Sequence, residues 1–255
     1  MLPADPIAAT SRVGVHRIVS ALVPVGVAAA LAVVGLHAGA SGRAAAQEPS
    51  ASATGTVAGE VLLLLSNRTT TPGAEAVVWL PGTPGGSAAA RVELAQQNKR
   101  FVPHVLPVHD GDTVAFPNLD RIYHNVFSLT PGNEFDLGLY HRGTAKAQRF
   151  TGNGVVQVYC NIHPQMAANV VIVDGGAVAT SGADGRFELR GVPAGAFPLR
   201  VWHERGGEDE RQVVVRAGAT TAVQVVLDAS RYRPQPHKNK HGQDYPPVTL
   251  DDDRY

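Results

Sequence analysis

Cys160 is the only cysteine of the 255-residue chain, and Met166 its only methionine besides Met1. Both lie in one heptapeptide, Cys160-Asn161-Ile162-His163-Pro164-Gln165-Met166, with a histidine between them. Thiolate, imidazole and thioether on one short turn are the donors of a soft, redox-active metal. Two histidines, one cysteine and a weak axial methionine make the donor set of mononuclear copper electron-transfer sites. The second imidazole must come from elsewhere. His124, in Asp120-Arg121-Ile122-Tyr123-His124-Asn125-Val126, is the candidate.

Other chemistries use some of these residues. A buried thiol in a turn needs no metal at all. Zinc accepts cysteine and histidine, although a thioether suits it poorly. A cysteine nucleophile would need His163 to face Cys160 as its base. On a tight turn the two side chains converge on a third point instead, which favours an ion.

The turn needs strands to hold it. Gly154 to Tyr159 reads as a strand leading straight into Cys160, and Ala168 to Val173 as the strand that leaves. Pro164, with no N–H and a fixed φ, stiffens the turn between them. His124 opens a further strand, Val126 to Leu129. Val57 to Leu65, Ala76 to Leu80, Phe101 to Val108, Thr113 to Phe116, Phe135 to Tyr140 and Ala145 to Phe150 read the same way. About eight or nine short strands with turns such as Asp110-Gly111-Asp112 predict a Greek-key sandwich. A second, smaller set runs from Ala177 to Leu227, with turns at Ser181 to Gly185, Val192 to Gly195 and Gly206-Gly207. The expected fold class is therefore all-β: one sandwich over residues 55–173 and a small one over 174–229. Roughly 55 residues is little for an independent core, so the second is expected to pack on the first.

The remaining segments are not sandwich-like. Arg12, His16 and Arg17 precede an apolar run from Ile18 to Leu36, and Ala44-Ala45-Ala46 follows. Residues 1–46 thus read as a signal segment or, uncleaved, a membrane anchor. Residues 47–54 read as a flexible leader. Residues 230–255 form a polar, Pro-rich tail, disordered or wrapped on the surface. Lysine plus arginine equals aspartate plus glutamate at 22 each, with no basic face, which argues against nucleic acid. Export also bears on Cys160: in an oxidising compartment a solitary thiol is safest as a metal ligand. The remaining histidines read as structural: His104, His109 and His141 at the surface, His203 at the surface beside a buried Trp202, and His237 and His241 in the tail.

The segments Gly111-Asp112-Thr113-Val114-Ala115-Phe116-Pro117-Asn118, His124-Asn125-Val126 and Cys160-x-x-His163-x-x-Met166 together resemble a cupredoxin. The two-residue gap between His163 and Met166 is similar to amicyanin and shorter than in plastocyanin. Gln96-x-Asn98-x-x-Phe101-x-Pro103 adds a likeness to the bacterial methylamine-utilisation-like cupredoxins. The resemblance implies one type 1 copper ion with His124, Cys160 and His163 as equatorial ligands and Met166 axial. It implies that the backbone N–H of Asn125 points at the Cys160 sulfur, and that His163 lies at a partly exposed apolar surface where a redox partner docks transiently. Pro164-Gln165 departs from the acidic-aromatic pair common before the methionine. The turns Ser181-Gly182-Ala183-Asp184-Gly185 and Gly191-Val192-Pro193-Ala194-Gly195 look like those of carboxypeptidase-regulatory-like modules, which resemble transthyretin in fold and imply no catalysis.

The expected function is a non-enzymatic electron carrier, periplasmic or on the cell surface. The alternative is a copper-handling protein, for resistance or delivery, that uses the same ligands without electron transfer.

Overall fold

The structure, a computed structural model, describes residues 53–85 and 91–245. The signal or anchor reading of residues 1–46 lies outside the described residues, as does most of the leader. Among the described residues no helix is long and apolar enough to cross a membrane. The described chain is all-β, as expected.

It opens with β1 (Thr54–Leu64), β2 (Thr70–Pro72) and β3 (Val77–Leu80). Ten strands follow: β4 (Arg91–Glu93), β5 (Ala95–Gln96), β6 (Phe101–Val102), β7 (Val105–His109), β8 (Thr113–Pro117), β9 (His124–Ser128), β10 (Phe135–Tyr140), β11 (Ala145–Arg149), β12 (Gly154–Tyr159) and β13 (Ala167–Val173). The last five are β14 (Ala177–Thr180), β15 (Arg186–Pro193), β16 (Gly195–His203), β17 (Gly207–Val215) and β18 (Thr220–Asp228).

The middle strands make one sandwich. Its sheets run β10-β9-β12-β13-β7 and β11-β8-β4. Phe116, Val126, Phe150, Val158, Val170 and Ile172 fill the space between them, with Cys160 and Met166 at one end of the same core.

The outer strands make the other sandwich. One sheet runs β15-β1-β18, with β2 beside β1, and the second β14-β3-β16-β17. Their shared core includes Val57, Val61, Leu63, Val78, Leu80, Leu189, Leu199 and Leu227. Here the pairing differs from the sequence expectation. Val57–Leu65 and Ala76–Leu80, assigned to the 55–173 module, pair instead with the strands that follow residue 173. The alternation of β1 marks a half-buried strand but says nothing of its partner. That partner is β18, lying parallel from Thr56↔Thr220 to Leu64↔Asp228. A late unit too small for its own core is thereby completed by three early strands, and the middle sandwich is an insertion between β3 and β14.

Gly59 makes the β1–β18 approach possible. A Cβ there would sit 1.7 Å from the carbonyl oxygen of Val223.

The two sandwiches share a third apolar cluster: Val77, Trp79, Val105, Val171, Val173 and Trp202. It explains why β3 and the Val170–Val173 end of β13 read as apolar runs: each is buried on both faces. Val78 and Leu80 point into the outer core while Val77 and Trp79 face the junction. On β13, Val170 and Ile172 face the inserted core while Val171 and Val173 face the junction. Asp174 seals the edge, accepting from Trp79 Nε1 at 2.7 Å and from Arg200 Nη1 at 2.9 Å.

Candidate metal centre

β9 lies antiparallel to β12, with Phe127 opposite Tyr159. That register sets the first residue of β9, His124, beside the loop leaving β12. The loop closes on itself: the Met166 N–H donates to the His163 carbonyl at 2.9 Å, and the Cys160 N–H to the Met166 carbonyl at 3.1 Å. Three donor atoms meet as a result. His124 Nδ1 and His163 Nδ1 are 3.1 Å apart, Cys160 Sγ is 3.6 Å from His163 Nδ1, and it is 4.0 Å from His124 Nδ1. All three residues are buried.

The triangle suits an ion. A circle through points with these separations has a radius of about 2.1 Å, within the first-row range for nitrogen and thiolate ligands (~2.0–2.3 Å).

The surroundings set the protonation that ligation needs. His124 Nε2 faces Asp120 Oδ2 at 2.8 Å, so the ring donates there and Nδ1 keeps its lone pair. Burial pushes His124 below its ordinary pKa, with Asp120 opposing. Burial pushes the Cys160 thiol up, against backbone N–H groups of Asn125, Ile162 and His163 that stabilise the thiolate. The Asn125 side chain donates to Asp136 at 2.6 Å. Met166 is fully buried in the same cluster as Cys160, and Pro164 lies on the loop between them.

Asp120 has its own cradle. The chain reverses at Gln97–Arg100 with φ of 55° at Asn98 and 53° at Lys99, the geometry of a type I′ hairpin turn joining β5 and β6. Both N–H groups of that turn bond the Asp120 carboxylate, at 2.7 and 2.9 Å. Burial would raise the Asp120 pKa, but Lys99, His124 and Asn98 together hold it below the ordinary value. Buried Asn118 shapes the intervening loop, donating to the carbonyls of Ile122 and Tyr140. Asp120 was missed in the sequence, where only its place four residues before His124 marks it.

Two expectations change. His163, expected at a partly exposed surface, is 4% exposed. His203, expected at the surface, is buried, with Nε2 donating to the Ala74 carbonyl and Nδ1 accepting from the Arg205 N–H. His104 and Glu204 join the two sandwiches at 2.8 Å.

A family profile described as "Carboxypeptidase regulatory-like domain" matches residues 153–228. The matched span starts at the β12 end of the inserted sandwich and contains β14–β18. No curated protein matches. Among solved structures, the chain is similar to the Cu-containing nitrite reductase NirK of Thermus scotoductus SA-01 at 23% identity, over 35% of this chain and 25% of that one, with a TM-score of 0.31. It is similar to a point mutant of amicyanin in the reduced Cu(I) form at 23% identity, over 38% of this chain and 98% of that one, with a TM-score of 0.31. It is also similar to a purple cupredoxin from Nitrosopumilus maritimus at 22% identity, over 33% and 99%, with a TM-score of 0.29. The chain spans about a quarter of the nitrite reductase. With scores this low, these likenesses carry no part of the argument for function, which rests on the three converging donor atoms.

Proposed function

We propose that the protein is an exported type 1 copper protein of the cupredoxin kind that carries single electrons between redox partners. His124, Cys160 and His163 would hold the ion, with Met166 as a weak further donor. The observation that carries this reading is the buried triangle of two Nδ1 atoms and one sulfur, with the Met166 thioether in the same buried cluster, a donor set that suits copper better than zinc. A bound copper ion would supply a one-electron couple. The protein's part is to keep the donors still and dry. Asp120 fixes the His124 tautomer, the Asn125 amide holds the thiolate, and Pro164 stiffens the loop. A partner would dock transiently over the ligand loop beside His163, with the small contact area of redox encounters. The solitary thiol fits a periplasmic or cell-surface setting.

The test is the visible spectrum. Protein loaded with Cu(II) is expected to be intensely blue and to bleach with ascorbate, and Cys160→Ser to remove the colour entirely. A colourless Cu(II) form, or stoichiometric zinc in protein purified without added metal, would sink the reading.

A further inference from the structure

Of the polar tail, expected to be disordered or wrapped on the surface, residues 237–245 wrap onto the ligand loop. The His237 ring stacks on Tyr159 at 4.0 Å between centroids and 18° between planes. Its Nε2–H donates to the Pro164 carbonyl at 2.7 Å. The Lys240 N–H donates to Asn161 Oδ1 at 3.0 Å, and the Tyr245 hydroxyl to the Cys160 carbonyl at 2.8 Å. These contacts take Tyr159, Cys160, Asn161 and Pro164 from outside, while β9 and the core hold the loop from within. Lys240 Nζ extends the hold across the sheet. It pairs with Asp136 at 2.7 Å, the carboxylate that also accepts from Asn125. Lys240 therefore ties the ligand loop, through Asn161, to β10 and, through Asp136 and Asn125, to β9. Tyr245 and His237 also meet edge to face, with rings 5.2 Å apart, so the segment is braced within itself.

We propose that residues 237–245 are a strap that positions the ligand loop and gates the centre. Metal exchange, or attack on Cys160 by an external reagent, requires His237 and Tyr245 to let go first. The strap presents backbone carbonyls with donors of matched geometry, so release costs hydrogen bonds and a ring stack but exposes little apolar surface. That combination makes a local opening independent of global unfolding. The link to copper rests on the function proposed above; the closure over Cys160 does not.

Two rates test this on the full chain. In metal-free protein, the double variant His237→Ala/Tyr245→Phe should raise the alkylation rate of Cys160 by iodoacetamide about tenfold or more, and Tyr245→Phe alone about threefold. His237→Gln, which keeps an N–H for Pro164, should recover part of the protection. In copper-loaded protein, the double variant should lose Cu(I) to a competing chelator faster by a similar factor, with unchanged thermal unfolding. Rates within about twofold of the parent in both assays would overturn the proposal. If the double variant fails to fold, hydrogen exchange at the Cys160 and Met166 amides in Tyr245→Phe decides the same question, no acceleration counting against the strap. A chain that alkylates as expected but holds no copper would keep the strap and remove the electron-transfer reading.

Discussion

The inserted and outer sandwiches have similar architecture and opposite interiors. Among the described residues, Gln96, Asp112, Asn118, His124, Asn125, Ser128, His163 and Asn169 are buried polar groups of the insert, against Thr83, Ser181 and His203 in the outer sandwich. Burying a polar group without a partner costs about 1–3 kcal/mol, so an interior of this kind needs a network. Among the described residues, Gln96 Oε1 and Asn125 Oδ1 are the buried side-chain atoms left without a partner. Around the donors the network is dense: Asn98 and Lys99 to Asp120, Asp120 to His124, Asn125 to Asp136, Asp136 to Lys240. The outer sandwich is a conventional apolar core. One interior is built around a polar network, the other around apolar packing, and damage to each should show in different measurements.

The largest effect is expected in the outer sandwich. Gly59→Ala places a methyl against the Val223 carbonyl, where only strand separation relieves the clash. A loss of about 3 kcal/mol or more is expected, at the upper end of overpacking costs. Denaturant unfolding measures it. If the inserted sandwich then unfolds at a lower denaturant concentration too, the regions form one cooperative unit; separate transitions would break the comparison into two independent folds.

A change within the insert should act on metal rather than on stability. Asp120→Asn removes the charge that orients His124, and about ten- to a hundredfold weaker copper binding is expected, as for other partners of ligating histidines. Competition with a chelator reads this out. Equal copper affinity in the variant would show that the cradle at Asn98 and Lys99 serves the fold alone.

The smallest effect belongs to the join. His104 faces acceptors at both nitrogens, the Ala167 carbonyl and Glu204, so the imidazolium is favoured. Its pKa is raised, chiefly by the hydrogen bond to Glu204, while Glu204 is lowered, chiefly by the bond to His104. The raised histidine stabilises fully below its unfolded value of about 6.5, and this is lost as pH rises through the folded value. The lowered carboxylate stabilises above its unfolded value of about 4.3, and this is lost as pH falls through the folded value. The pair should therefore contribute most between about pH 4.3 and 6.5, by no more than about 1 kcal/mol given its exposure. Comparing stability against pH for the parent and Glu204→Gln isolates the contribution; identical profiles would remove the pair from the join.

Sequence and structure meet unevenly across these regions. The all-β character was legible because turn residues punctuate short β-branched runs, and the donor residues stood out because cysteine and methionine are so rare in this chain. Strand partnership was not legible. The pattern of β1 is satisfied by any apolar neighbour, and its parallel match to β18 spans most of the chain. Asp120 escaped notice because its role depends on two left-handed residues of a turn some twenty positions earlier. The strap escaped because carbonyl bonds and one ring stack leave no trace in a hydrophobic pattern.

The return crossing from β13 to β14 carries a mechanical consequence. Gly176, with φ of 88°, presses so closely on β3 that a Cβ would lie 1.9 Å from the Leu80 carbonyl oxygen. The donor-bearing half is thus not a bead at the end of a string. It is spliced into its neighbour, leaving from β3 and returning onto the same strand. A body moored at both ends has no swivel, so any face it presents turns only with the whole molecule.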